Sequence, residues 1–72
     1  MFSKEIFSEK VFELRKQHKL SQLQLGEIVG LTQTAISMIE KAERAVSIEV
    51  LDKLADYFGV STDYLIGRSD VR

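Results

Sequence analysis

The chain has 72 residues and a formal net charge of −1, enough for one small domain but not for two. It has no cysteine, which excludes disulfides and thiolate metal sites, while 44% hydrophobic residues suffice for one compact core. Charges interrupt every apolar stretch, and the N-terminus lacks the basic-then-apolar layout of a signal peptide. We therefore expect no transmembrane helix and a soluble, cytoplasmic domain.

The first predicted helix runs from about Lys4 to Lys19. Ser3 is its expected N-cap, and Phe7, Val11 and Leu14 are spaced three and four residues apart. This spacing predicts one buried stripe along the helix.

The second and third predicted helices are short. Ser21 is followed three positions later by Gln24, the pattern of a capping box, and Gly30 is expected to end the second helix. Thr32 is the expected N-cap of the third helix, which continues to about Lys41.

Two more helices follow at Ser47 and Ser61, and each is expected to end at a glycine, Gly59 and Gly67. One face of the fourth helix is predicted to be buried through Ile48, Leu51, Leu54, Ala55 and Phe58. No segment alternates with period two, so the sequence predicts an all-α fold of five helices.

The segment from Gln22 to Lys41 carries the functional signal. Two short helices joined by a glycine-led turn of about three residues have the helix-turn-helix layout. Gly26 lies mid-helix, where a side chain would prevent close approach, and Gly30 opens the turn. The apolar wedge between the two helices is expected to consist of Leu25, Val29, Leu31, Ile36 and Ile39.

These features resemble the Cro and lambda-repressor-like (Xre-type) regulators over residues 7–66. Residues 20–25 are similar to the start of that family's second helix, 30–40 to its turn and recognition helix, and 51–66 to its last two helices. The resemblance implies a compact five-helix lambda-repressor-like domain over residues 1–67, with a loose tail at 68–72. It also implies a transcriptional repressor that binds a palindromic double-stranded DNA operator as a homodimer, with helix 3 in the major groove.

The chain departs from the family pattern at four positions. Ala42 stands where the family commonly has glycine, and Val46 where it often has proline. Leu23 and Phe12 replace polar and basic residues, respectively. The departures concern the loop from Ala42 to Val46 and the apolar surface near the N-terminus.

The DNA-contacting residues are expected on the third helix and around it. At 100° per residue, Gln33, Thr34, Ser37, Met38 and Lys41 project away from the side that carries Ala35, Ile36 and Ile39. Amide and short side chains suit contact with base edges. Further contacts, several of them to phosphates, are expected from Gln22, Thr32, Lys16, Lys19 and Arg44.

Arg15 and Glu40 are assigned a structural role instead. The family pattern pairs these two positions, and Glu40 borders the core face of the third helix. We expect an ion pair between the first and third helices, with phosphate contact as a secondary role for Arg15.

A homodimer needs a self-complementary patch. Tyr57, Tyr64 and Ile66 are the expected interface, because the predicted core stripe does not use them. The competing patch is formed by Phe2, Ile6 and Phe12.

Two other functions remain open at this stage. The first is a protein-interaction module that keeps the fold without binding DNA, and the second is an antitoxin that also represses its own operon. Acidic residues on the exposed face of the third helix would favour the interaction module. His18 has no second histidine or cysteine to share a metal with, and we expect no enzyme, cofactor or small-molecule ligand.

Overall fold

The structure is a computed structural model that describes residues 4–68. Five helices occupy this range: α1 (Lys4–Gln17), α2 (Gln22–Val29), α3 (Gln33–Glu40), α4 (Ile48–Phe58) and α5 (Thr62–Leu65). No strand occurs within these residues, in agreement with the all-α prediction. None of the helices described is long and apolar enough to cross a membrane. The expected N-cap Ser3, Phe2 and tail residues 69–72 lie outside the described range.

Four of the helices begin at the N-caps that the sequence predicts. In each, the hydroxyl oxygen of the capping residue accepts a hydrogen bond from the backbone N–H three residues later, at 3.0–3.2 Å. Ser21 forms the full capping box, since its own N–H donates to Gln24 Oε1 at 2.8 Å. The capping residues of α2 to α5 are Ser21, Thr32, Ser47 and Ser61.

The five helices within residues 4–68 also end in one common way. A residue with left-handed backbone follows each helix, and the next N–H donates to the carbonyl five residues earlier, at 2.7–3.1 Å. The left-handed residues are Lys19, Gly30, Ala42, Gly59 and Gly67. The prediction for α1 is corrected here, because the left-handed Lys19 ends the helix at Gln17 rather than continuing it.

The core is built mainly from the apolar stripes of α1 to α4. Its largest fully buried side chains are Phe7, Val11, Leu14, Leu25, Val29, Ile36, Ile39, Leu54 and Leu65. Ile48 was predicted to be part of this core, but it is 84% exposed. It is the first residue of α4, whereas the fully buried side chains of α4 start only at Leu54.

The short helix α5 closes one end of the core against α1 and α4. Leu65 is fully buried, and Tyr64 is 5% exposed with the Lys10 ammonium 4.3 Å from its ring centroid. Because α5 has only four residues, its contribution to the core consists of two buried side chains, Tyr64 and Leu65.

Ala42 gives a first test of the fold. Its φ of +59° lies in the left-handed region, which costs a residue with a Cβ about 1–2 kcal/mol. Ala42→Gly should remove this cost, less glycine's entropic penalty of about 0.5–1 kcal/mol. The net gain is then about 0–1.5 kcal/mol, and each kcal/mol gained raises the melting temperature by roughly 4–8 °C in a domain of this size.

Ala45→Gly in the same loop is the matched control, because Ala45 has no positive φ. That change should lower the melting temperature slightly. Equal losses in both variants, measured by thermal denaturation, would contradict the assignment of backbone strain to Ala42.

Candidate nucleic-acid interface

Helices α2 and α3 pack against each other through the turn that joins them. Gly26 is buried in α2, and a Cβ on it would lie 2.5 Å from the Leu31 carbonyl oxygen. The Leu31 N–H in turn donates to the Gly26 carbonyl at 2.7 Å. The sequence predicted that a side chain at Gly26 would obstruct packing, and the obstacle is the backbone of the turn. A helix-turn-helix is thus formed with no room for a larger residue at this position.

The two sides of α3 differ as the helical periodicity predicted. Ala35, Ile36 and Ile39 are buried against the rest of the core. Gln33, Thr34 and Met38 are exposed, and Ser37 is half-buried beside them. Thr32, just before the helix, is also exposed, with its hydroxyl oxygen accepting from the Ala35 N–H.

Glu40 is the acidic residue of α3, and its carboxylate is turned inward. Arg15 Nε donates to Oε2 at 2.6 Å and Nη2 to Oε1 at 3.0 Å, so the contact is bidentate. The two side chains are only 8% and 5% exposed. The remaining guanidinium nitrogen, Nη1, donates to the Leu20 carbonyl at 2.9 Å. With all three nitrogens engaged inside the protein, Arg15 holds α1, the loop after it and α3 together.

Gln22, the first residue of α2, joins the same cluster. Its Nε2 donates to Glu40 Oε1 at 3.1 Å, so one carboxylate contacts residues from α1 and α2. This contact was not anticipated from the sequence, since Gln22 and Glu40 are 18 residues apart. Their helices meet there only after α2 and α3 have packed.

The predicted phosphate-contacting cations lie on the surface around this cluster. Lys16, Lys19, Lys41 and Arg44 are all exposed. Lys16 is next to Arg15 in sequence, and Lys41 directly follows Glu40 at the end of α3. The Lys16 ammonium lies 5.6 Å from the ring centroid of Phe12, which is also exposed.

The residues expected in a dimer interface do not form a single patch. Tyr64 belongs to the core, so its ring is not available at the surface. Tyr57 is 42% exposed, and its ring centroid lies 6.0 Å from that of His18 at the end of α1. Ile66 is half-buried and directly follows α5, the last helix of the described range.

The competing patch is also divided, because six residues separate Ile6 from Phe12 and place them about 120° apart around α1. Phe12 lies near Arg15 and Lys16. The side chain of Ile6 instead lies against Gly67, where an added Cβ would be 2.7 Å from Ile6 Cγ2. The N-terminal part of α1 therefore meets the chain at Gly67, just after α5 and Ile66.

The five helices and the turn between α2 and α3 define a lambda-repressor-like helix-turn-helix domain. A helix-turn-helix family model matches residues 11–65. The chain belongs to the Xre-type helix-turn-helix family of transcriptional regulators. It is 39% identical over 69 residues to the control protein C.SmaI of Serratia marcescens, covering 96% of this chain and 82% of that protein.

The fold is also similar to that of solved structures. The P22 c2 repressor in complex with a synthetic operator matches with a TM-score of 0.83 and 33% identity, over 89% of this chain and 97% of the repressor. Hydroxypropylphosphonic acid epoxidase from S. wedmorenis matches with a TM-score of 0.80 but 23% identity, over 90% of this chain and 35% of that enzyme. The second likeness shows the fold alone.

Some curated relatives are longer proteins. The antitoxin PezA of Streptococcus pneumoniae is 32% identical over 86% of this chain, which spans 39% of its length.

Arg15→Met tests the role of the ion pair. The change leaves the Glu40 carboxylate buried without its charged partner, which should lower the free energy of unfolding by about 3 kcal/mol. Lys16→Met, on the next and exposed residue, should change it by no more than about 0.5 kcal/mol.

A second substitution separates charge from packing. Arg15→Met combined with Glu40→Leu replaces the pair by apolar side chains and should recover most of the lost stability. Urea denaturation measures all three variants. A double variant as unstable as Arg15→Met alone would show that shape, rather than the unpaired charge, sets the loss.

Proposed function

We propose that this chain is a repressor that binds a palindromic DNA operator as a homodimer, with α3 in the major groove. The observation that carries the proposal is the outward face of α3. Its exposed and half-buried side chains from 33 to 38 are uncharged, and the one carboxylate of the helix, on Glu40, is buried by Arg15. A protein-interaction module would be favoured by acidic residues on this face, and residues 33–41 present none there.

The size and chemistry of α3 suit a groove. An α-helix with its side chains is about 10–12 Å in diameter, which fits the major groove of about 12 Å width. Gln33 can donate to and accept from an adenine edge, whereas Thr34 and Met38 can contact a thymine methyl group. We assign base readout to Gln33, Thr34, Ser37 and Met38.

The surroundings of α3 supply phosphate contacts. Lys16, Lys19, Lys41 and Arg44 are exposed cations, and Gln22 lies at the N-terminus of α2, where free N–H groups and the helix dipole favour an anion. Thr32, the N-cap of α3, lies at the N-terminus of the next helix. Since the chain has a net charge of −1, these local cations must provide the attraction that the whole protein lacks. The expected place of action is the cytoplasm, without catalytic activity.

Selection of binding sites from random duplexes with the purified protein tests this function. We expect enrichment of a palindrome whose half-sites are roughly one helical turn apart. Affinity for the selected site should fall steeply with salt, with log K decreasing by roughly 3 to 6 units per log unit of salt for a dimer. If no duplex is enriched or bound at low salt, the domain is an interaction module instead.

Gln33→Ala and Lys19→Ala should weaken binding in different ways. Loss of the Gln33 amide should cost about 1–3 kcal/mol on the selected site and relax the preference at one base pair of each half-site. Loss of the Lys19 charge should weaken binding to all duplexes alike and reduce the salt slope by about 0.9 per protomer. Titrations on selected and scrambled duplexes separate the two effects. If Gln33→Ala lowers the affinity for both duplexes equally, readout of the bases by α3 is contradicted.

Dimerisation should use the α5 end of the molecule. With Tyr64 buried and Tyr57 beside His18 at the other end of α1, Ile66 is the candidate interface residue here, and Ile6 lies against the adjacent Gly67. Ile66→Ser should shift the sedimentation equilibrium towards monomer, because a dimer would bury this region. Phe12→Ser, about 120° from Ile6 around α1, is the control and should leave association unchanged. The reverse result would place the interface at Phe12.

A further inference from the structure

The carboxylate of Glu40 accepts hydrogen bonds from two side chains, Arg15 in the core and Gln22 in the proposed DNA interface. Arg15 occupies both oxygens, and Gln22 Nε2 donates to Oε1, the oxygen that also accepts from Arg15 Nη2. The Glu40 side chain is only 5% exposed, and its position is set by these hydrogen bonds. Gln22, in contrast, is half-buried and reaches the surface at the start of α2.

The contact determines how the Gln22 amide is oriented. A primary amide has two N–H donors and one oxygen acceptor. One N–H of Gln22 is directed to Glu40, which restricts rotation of the amide and hence the orientation of its second N–H and its oxygen. A donor held in place before binding costs less conformational entropy when it meets its acceptor.

We propose that Glu40 is a positioning residue for DNA binding, which acts by holding Gln22 so that its second Nε2–H donates to a backbone phosphate. The inference rests on the proposed function. Arg15 contributes by fixing Glu40, since three of its five N–H donors are engaged by Glu40 and the Leu20 carbonyl and its side chain is only 8% exposed. In this arrangement Glu40 supports the binding of a DNA phosphate, although its own charge is negative.

A double-mutant cycle tests the coupling of Gln22 to Glu40. One arm is Gln22→Met, which keeps the length of the side chain without its donors. The other is the paired substitution Arg15→Met with Glu40→Leu, which removes the carboxylate that holds Gln22 and leaves the net charge of the protein unchanged. The probe is a duplex recovered by the selection, and Gln17→Ala, an exposed amide at the end of α1, is the control.

Gln22→Met should weaken binding about three- to tenfold on every duplex, the value of one hydrogen bond, without changing the salt slope because the amide is neutral. In the variant that carries Arg15→Met and Glu40→Leu, Gln22→Met should alter affinity less than twofold. Replacing phosphates one at a time by methylphosphonates should identify a position to which the wild type is sensitive and Gln22→Met is not. Full effects of Gln22→Met in both backgrounds would overturn the inference.

Side-chain dynamics in the free protein provide a readout that does not depend on the paired variant folding. The Gln22 Nε2 group should be rigid in ¹⁵N relaxation, whereas that of Gln17 should be mobile. Equal mobility of the two amides would overturn the role of Glu40. A wild type that binds no duplex would reject the proposed function itself, whereas binding without any effect of Gln22→Met would reject only this inference.

Discussion

The buried contact between Arg15 and Glu40 is the constraint on which the arrangement of α1, α2 and α3 depends. A charged group inside a small protein is tolerated only when it is paired and hydrogen-bonded, so each partner dictates where the other must lie. Arg15 also binds the carbonyl after α1, and Glu40 also binds the first residue of α2. The angle between the two helices of the helix-turn-helix is therefore fixed at its base by polar contacts and at its turn by the close approach of Gly26.

Sharp helix endings make such a cluster possible in so short a chain. The ends of α1 and α3 are the two at which a residue other than glycine adopts the left-handed backbone in the described range, and both adjoin the ion pair. Lys19 lies between Arg15 and Gln22, and Ala42 follows Glu40 by two residues. The local strain at these turns is balanced by the contacts that the turns bring together.

Burial of one carboxylate also explains how a protein with nearly balanced charge can present a surface suited to an anion. Lys16 and Lys41 each neighbour a member of the ion pair in sequence, but their own charges remain in solvent. The negative charge of α3 is neutralised internally by Arg15, so the carboxylate of this helix does not face the solvent beside Lys41. Net charge is a poor guide to binding here, because the arrangement of charges and not their sum sets the local potential.

Local signals in the sequence determined the five helices, their caps and the helix-turn-helix, since capping hydroxyls, glycines and apolar spacing act over three to five residues. The pairing of Arg15 with Glu40 was expected from the family pattern. Tertiary structure alone decided that Ile48 is exposed and Tyr64 buried, because periodicity assigns a face to a helix but not the length over which neighbours cover it. It also decided the contact of Gln22 with Glu40 and the left-handed conformation of Lys19 and Ala42. These depend on where separate helices meet, and no local spacing encodes that.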